Sequence, residues 1–172
     1  MKYTSVNELS NFEFHDAKFL LDIFDENRLK IKAEFLNIHK DADQNPHQID
    51  MEISVATITF EDFDLISYEP MREYIEDKNG ELYTTDLYIA FMGDSARSNF
   101  LKRLEAGSTV FDFAIKEGDV YFIDASDNPP FTVLFKFTKV TIEWDEYKGK
   151  AWYASKQPDS IHSINYLKHS EA

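Results

Sequence analysis

The heptapeptide FTVLFKF, residues 131–137, places a large apolar side chain at every second position. The same spacing recurs in RLKIKAEF, residues 28–35, where lysine and glutamate alternate with apolar residues. Successive side chains of an extended strand point to opposite faces of a sheet, whereas a helix requires apolar spacings of three and four. The pattern therefore predicts strands with one buried face and one wet face, which is typical of antiparallel sheets.

Further strands follow from the same reasoning along most of the chain. We expect them at residues 17–24, 28–38, 49–63, 82–92, 110–115, 120–123, 131–137 and 140–144. Polar or glycine-containing turns separate many of them, at residues 25–27, 79–80, 117–119 and 148–150. A break in the alternation near Ala56 predicts a β-bulge there.

One segment has helical spacing. Ser95–Ala106 is expected to form a helix with Asp94 as its N-cap and Gly107 at its exit, and S-x-x-E at Ser5–Glu8 predicts a short helical turn before Phe12. We therefore predict a mainly β (β-rich α+β) protein with one inserted helix near residues 95–106. Its antiparallel sheet would fold into a sandwich or half-barrel within a single domain, residues 1–154. Residues 155–172 are predicted to form a polar, loosely ordered C-terminal tail.

The composition limits the classes of function. The 172 residues include no cysteine, which excludes disulfides, thiolate zinc sites and a cysteine nucleophile. No apolar run approaches the roughly 20 residues that span a bilayer, and the first residues lack the apolar core of a secretion signal. We expect a cytoplasmic protein.

The net charge of −14 is concentrated in one part of the chain. Residues 41–94 contain fourteen acidic and two basic residues and so carry −12. Such a field repels nucleic acid and anionic membranes and attracts a basic protein. The candidate partner-binding residues are Asp43, Glu52, Glu61, Asp62, Asp64, Glu73, Glu76 and Asp77. The alternative is an acidic surface that only maintains solubility.

Two metal-site hypotheses concern the polar loop after residue 38. Asp41, Asp43, Asn45 and Glu52 match four ligand positions of a calcium-binding EF-hand loop, but Pro46 replaces the glycine that its turn requires, and the flanks resemble strands. Histidines 39 and 47 bracket the loop, yet their spacing matches no metal-site signature. The sequence also lacks nucleophile-elbow and phosphate-binding motifs. We predict no metal, no cofactor and no catalytic residue.

The stretch FEFHDAKF, residues 12–19, places His15 beside Asp16 among phenylalanines. If it is extended, Phe12 and Phe14 face the core, while His15 lies on the wetter face beside Glu13. His15 and Asp16 would then point to opposite sides and could not bind one metal together without a bend in the chain. A bend at His15 could instead turn its ring inward, where a backbone carbonyl or a distant carboxylate would have to satisfy it. We expect the start of a strand, with His15 and Asp16 as structural residues, and a ligand-binding role as the alternative.

Both tryptophans lie in the C-terminal segment IEWDEYKGKAWYAS. Trp144 and Trp152, together with Tyr147 and Tyr153, could form an aromatic binding surface for a ligand or a partner. The structural alternative is a hairpin whose rings pack across neighbouring strands.

The four residues Phe14-His15-Asp16-Ala17, followed by an apolar strand and a hairpin that reaches Ile38, carry a family resemblance. With the later strand segment at residues 56–60, they resemble a loose group of small bacterial proteins of unknown function. Some members of that group are similar to immunity proteins of polymorphic toxin systems. The matching segments cover 30 of the 172 residues, and the resemblance implies no catalytic residues.

Three functions remain after these exclusions. The first is a non-enzymatic, immunity- or antitoxin-like binding protein whose acidic segment docks on a basic partner such as a toxin. The second is a small-ligand- or metal-binding protein, or an enzyme, with an aromatic-lined pocket between sheets and His15 or His39 at its mouth. The third is a scaffold that forms a homodimer through exposed strand edges.

Overall fold

The computed structural model describes residues 1–71, 75–84 and 88–154. Within these residues the strands are β1 (Tyr3–Val6), β2 (Phe12–Glu13), β3 (Lys18–Asp25), β4 (Arg28–Glu34), β5 (Asn37–Ile38), β6 (Met51–Ile53), β7 (Ala56–Glu61), β8 (Asp64–Pro70), β9 (Ile75–Glu76), β10 (Leu82–Tyr83), β11 (Ser108–Glu117), β12 (Val120–Ala125), β13 (Phe131–Lys136), β14 (Lys139–Trp144) and β15 (Tyr147–Lys150). A 3-10 helix spans Leu9–Asn11, and helix α1 spans Gly93–Ala106. The predicted mainly β fold with one α-helix is confirmed.

Nine strands form one antiparallel sheet in the order β1-β14-β7-β4-β3-β11-β12-β13-β8, which is not closed into a barrel. A second antiparallel sheet has the order β15-β6-β5-β2, and β9 and β10 pair as a hairpin. The break in the apolar alternation near Ala56 marks the point where the chain passes from one sheet to the other. β6 belongs to the four-stranded sheet, and β7 belongs to the nine-stranded sheet. The predicted bulge at Ala56 was therefore wrong.

The large sheet curls because aromatic side chains from its two halves pack against each other. The Phe60 ring on β7 lies 5.8 Å from that of Phe135 on β13, although these strands are not neighbours in the sheet. Phe63 contacts Phe135 at 5.2 Å and Phe100 of helix α1 at 6.3 Å. Such ring pairs contribute about 0.5–1.5 kcal/mol each beyond their buried area. This cluster is the core between the two halves.

The connection from β7 to β8, which are not neighbours in the sheet, forms a corner held by hydrogen bonds. Asp62 has a left-handed backbone with a φ of 52°. Its carboxylate accepts hydrogen bonds from Asn27 Nδ2 and Thr138 Oγ1, each at 2.7 Å. The Thr138 N–H also donates to the Glu61 carbonyl at 3.0 Å. The β7–β8 and β13–β14 connections therefore meet at one corner.

Several predicted element ends differ in the structure. Helix α1 begins at Gly93, and its N-cap is Met92 with no side-chain cap, so Asp94 lies in the first turn and is not the cap. Gly107 ends the helix as predicted, with a φ of 88°. The 3-10 helix follows the Ser5–Glu8 pair, whose side chains share a hydrogen bond of 2.9 Å, but Ser5 itself lies in β1.

Three more expectations concern the later part of the chain. Residues 148–150 do not form a turn, because Gly149 and Lys150 pair with β6. A strand was expected at residues 82–92. Among the described residues of this range, Leu82–Tyr83 is a strand and Phe91 forms an isolated bridge with Tyr68. Residues 85–87 lie outside the described part of the chain. The predicted tail at 155–172 also lies outside the described residues. No helix in the described residues combines the length and the apolar character needed to cross a membrane.

Candidate functional site

The stretch FEFH, residues 12–15, separates two cavities. Phe12 and Phe14 line one cavity, whereas Glu13 and His15 line another. The cause is the extended backbone at β2, which directs alternate side chains to opposite sides. Phe12 and Phe14 are each 5% exposed, as the sequence pattern predicts for core residues. One short segment therefore forms a wall of both candidate sites.

The first site, which we call the histidine cleft, has a volume of about 680 Å³. Its walls come from separate parts of the chain: Glu13, His15, His39, Asp50, Phe111, Asp112, Trp152 and Tyr153. Carboxylates, imidazoles and aromatic rings thus converge on one concave surface. The sequence indicates candidate roles for His15, His39, Trp152 and Tyr153, but no pattern in it marks Asp50, Phe111 or Asp112 as members of a site.

The expectation that His15 and Asp16 point to opposite sides was wrong. His15 Nδ1 lies 3.1 Å from Asp16 Oδ2. Asp16 has a φ of 68°, and the Ala17 N–H donates to the Phe14 carbonyl, so the chain turns here. Both side chains are substantially exposed, at 42% and 57%, and an ion pair of this kind contributes little to stability. Asp16 does not line the histidine cleft.

A β-bulge places Phe111 in the histidine cleft. Val110 pairs with Ala125 and Asp112 pairs with Asp124, so Phe111 is the extra residue on β11. Its ring centroid lies 5.3 Å from that of His15, and the side chain is 58% exposed. The adjacent apolar residues Val110 and Phe111 interrupt the alternation of β11, and this interruption is the sequence signal that could have revealed the bulge.

Asp50 organises the opposite wall of the cleft. Its side chain is 14% exposed, and its Oδ2 lies 3.3 Å from His39 Nδ1, while its Oδ1 accepts the Lys40 N–H at 2.8 Å. Burial opposes ionisation of Asp50, but the hydrogen bonds from Lys40 and His39 outweigh burial and lower the pKa of the carboxyl. Burial and the nearby Asp50 carboxylate raise the pKa of Tyr153. Asp50 is therefore anionic and Tyr153 neutral at neutral pH.

The EF-hand resemblance has a structural explanation that needs no calcium. Asn45, which is 7% exposed, holds the loop: its Nδ2 donates to the His39 and Ile49 carbonyls, and its Oδ1 accepts the His47 N–H. Glu52 pairs with Lys148 at 2.7 Å. Within the described residues, no three His, Asp or Glu side chains are placed to hold a metal ion.

The second site, which we call the aromatic cavity, has a volume of about 470 Å³. Phenylalanine, tyrosine and aliphatic side chains form most of its walls: Asn7, Leu9, Ser10, Phe12, Phe14, Phe113, Ala114, Ile115, Tyr121, Phe137, Thr138 and Val140. It lies where the 3-10 helix and β2 face the β11–β12 hairpin. His15 and His39 are absent from this lining and belong to the histidine cleft.

The candidate partner-binding acids fall into separate groups. Glu61, Asp62 and Asp64 lie together at the β7–β8 corner, which we call the acidic corner. Glu52 lies on β6, which precedes the other end of β7, and Asp43 lies in the loop before β6; β7 itself is about 17 Å long at the rise of an extended strand. The remaining acids belong to a different element.

Glu76 and Asp77 lie in the β9–β10 hairpin. The Asp77 carboxylate accepts the Asn79 and Glu81 N–H groups, which lower its pKa. Glu73 lies outside the described residues. The described acids of this segment therefore lie on several different elements.

The two tryptophans have different environments. Trp144 is fully buried, stacks on Tyr3 at 5.4 Å and meets Phe12 edge-on at 5.8 Å. Trp152 is 50% exposed, contacts the Tyr153 ring at 5.4 Å and lines the histidine cleft. Trp144 is thus a core residue, and only Trp152 is accessible to a ligand. Comparison of the chain with protein-family models, curated proteins and solved structures finds no match.

Proposed function

We propose that the protein is a non-enzymatic binding module of the immunity or antitoxin type, which docks on a basic protein such as a toxin. The observation that carries this proposal is the acidic corner. Asp62 and Asp64 are located there on both sides of buried Phe63, and Glu61 is partly exposed. The net charge of −14 gives long-range attraction for a basic partner.

The geometry of the corner suits rapid docking. The hydrogen bonds from Asn27 and Thr138 hold Asp62 in place before any partner arrives. Charges that are already ordered avoid part of the conformational entropy cost of association. Complementary charge at such a surface raises the association rate more than it slows dissociation.

Basic residues near the acidic corner reduce its negative electrostatic potential. Lys136 and Lys139 lie opposite Asp64 and Glu61 in the strand register. Lys136 is engaged elsewhere, because its Nζ pairs with Asp119 at 2.8 Å. Arg28 also interacts with Glu61, but its guanidinium pairs with Asp25 at 2.6 Å. Lys139 has no such acidic partner of its own among the ion pairs of the described residues. The corner therefore combines three acidic side chains with Lys139 as the neighbouring cation and keeps a net negative charge.

The test begins with a low-salt pull-down from lysate of the host cell and a parallel high-salt wash. A basic protein that is retained and then released by salt is the candidate partner. Its association rate is then measured against the triple variant Glu61→Gln, Asp62→Asn, Asp64→Asn. We expect a decrease of about tenfold at low salt, with little change in the dissociation rate.

The matched control removes the same charge at the other end of β7, in Asp41→Asn, Asp145→Asn, Glu146→Gln. These three side chains are exposed. We expect this control to slow association by less than about threefold, because only the overall field is reduced. Equal rates for both triple variants would contradict docking at the acidic corner, and the absence of a salt-sensitive basic partner would contradict the proposed function.

A further inference from the structure

The aromatic cavity has the composition of a small-molecule site. Its deeper wall is formed by buried side chains, with Phe12 and Phe14 each 5% exposed and Val140 1% exposed. Phe113 and Tyr121 are only partly buried and leave ring surface accessible. Binding pockets for small molecules typically measure about 300–1,000 Å³ and are mostly apolar, and the cavity of about 470 Å³ lies in this range.

The rim of the cavity exposes apolar surface that a soluble domain normally covers. Ile115 is 57% exposed at this rim, although it lies on a strand that begins in the core. Three polar side chains also line the cavity: Asn7, Ser10 and Thr138. Asn7 Oδ1 accepts the Val140 N–H at 2.9 Å, and Thr138 Oγ1 donates to Asp62 at 2.7 Å. Asn7 Nδ2 and the Ser10 hydroxyl can therefore fix the orientation of a bound molecule.

The lining residues also determine which ligand charge is favourable in the cavity. Among the described residues that line the aromatic cavity, none is charged. A charged group placed there would lose its hydration without gaining an ion pair, which is unfavourable. The net charge of −14 adds a further penalty for an anion.

The ring geometry favours a planar molecule. Tyr121 and Phe137 lie 4.4 Å apart with an interplanar angle of 33°, and Phe14 meets Phe113 edge-on at 4.6 Å. A flat aromatic ligand can extend both the tilted and the edge-to-face arrangement that these rings already form. We propose that the aromatic cavity binds a small, neutral, planar aromatic molecule. The aromatic cavity adjoins the acidic corner at Thr138, which lines the cavity and donates to Asp62, but the two proposals concern different ligands, and either can fail without the other.

The first probe is N-phenyl-1-naphthylamine, a neutral aromatic dye whose emission increases in apolar surroundings. We expect saturable one-to-one binding to the wild-type protein. The anionic relative 8-anilinonaphthalene-1-sulfonate carries nearly the same rings and serves as the matched ligand, and we expect it to bind at least tenfold more weakly. Equal affinity for the two dyes would overturn the inference of a neutral occupant.

Two tryptophan substitutions on β11 locate the site. Ala114→Trp fills the cavity and should weaken dye binding at least tenfold. Lys116→Trp adds the same ring at an exposed position outside the cavity and should leave the affinity unchanged within about twofold. Near-ultraviolet circular dichroism of each variant establishes that it has folded. Unchanged binding by a folded Ala114→Trp protein would overturn the assignment to this cavity.

A second measurement needs no substitution. Methyl NMR spectra of the wild-type protein, recorded with and without the neutral dye, should show shifts at Leu9, Ile115 and Val140, which line the cavity. Ile53, which is fully buried in the four-stranded sheet, should not shift. No saturable dye binding, or shifts confined to methyl groups outside the cavity, would refute the proposal.

Discussion

Phe14 and His15 are neighbours in the chain and line different cavities, the aromatic cavity and the histidine cleft. Phe14 packs against Phe113 at 4.6 Å, and His15 lies 5.3 Å from Phe111. Both contacts are made to β11. The bulge at Phe111 turns the Phe111 side chain away from the cavity that Phe113 lines. A single irregularity in β11 thus supplies both sites with an aromatic wall.

The substitution Asp50→Asn should lower the free energy of unfolding at pH 7 by about 1 kcal/mol, since the neutral amide weakens the hydrogen bonds of the carboxylate. The pKa of Asp50 is lower in the folded chain than in the unfolded chain. The ionised Asp50 carboxylate therefore stabilises the fold fully at pH values above its unfolded-state pKa. This stabilisation is lost as the pH falls through its folded-state pKa. Urea unfolding should show that the wild-type advantage is retained from pH 7 to 5.

Below about pH 4, where an unperturbed aspartate becomes protonated, the difference between the wild-type and Asp50→Asn proteins should decrease. Asp41→Asn is the control, because Asp41 is exposed on the same loop. A wild-type advantage that grew as the pH fell below about 4 would contradict the assigned sign.

The two tryptophans should differ sharply in their effect on stability. Trp144→Ala removes a fully buried ring from between Tyr3 and Phe12 and should cost about 3–5 kcal/mol. Trp152→Ala, at a half-exposed position, should change the free energy of unfolding by no more than about 0.5 kcal/mol. Chemical denaturation of both variants provides the comparison. Similar losses for the two would mean that Trp152 supports the fold as well as the cleft.

The acidic corner should depend on Asp62 for its shape. Asp62→Ala removes the acceptor of two hydrogen bonds and places alanine at a φ of 52°, so we expect a loss of about 1–2 kcal/mol. Asp62→Asn keeps a side-chain oxygen and a residue type that tolerates this backbone, and it should cost less than half as much. Thermal unfolding of both variants tests this order. Equal losses would mean that only the negative charge of Asp62 matters for stability.

Two glycines provide a matched test of backbone conformation. Gly107 has a φ of 88°, and a Cβ there would lie 2.6 Å from Lys18 Cε, at the flexible end of that side chain. The lysine can move, but the backbone strain remains, so Gly107→Ala should cost about 1–3 kcal/mol. At Gly149, which has no positive φ, an added Cβ would have no neighbouring atom within 4 Å. Gly149→Ala should therefore be nearly neutral in urea unfolding, and a comparable loss at both positions would contradict this reasoning.

Local patterns predicted much of the fold. The alternation in residues 131–137 predicted β13, and the glycine at 118 marked the turn between β11 and β12. The start of helix α1 was predicted within two residues. The Asp94 cap and the turn at 148–150 were wrong, because helix ends and strand pairing respond to neighbours that are distant in the sequence. Short extended segments such as β15 become strands only when a partner supplies the hydrogen bonds.

For the candidate sites, the sequence by itself determined that Phe12 and Phe14 face one side and Glu13 and His15 the other, because the direction of side chains along an extended backbone is a local property. Only the tertiary structure decided what these side chains meet. Asp50 reaches His39, and Phe111 reaches His15, across separations in the chain that no local pattern spans. Strand pairing and the bulge in β11 create those contacts, and both depend on which strands pair across the whole sheet.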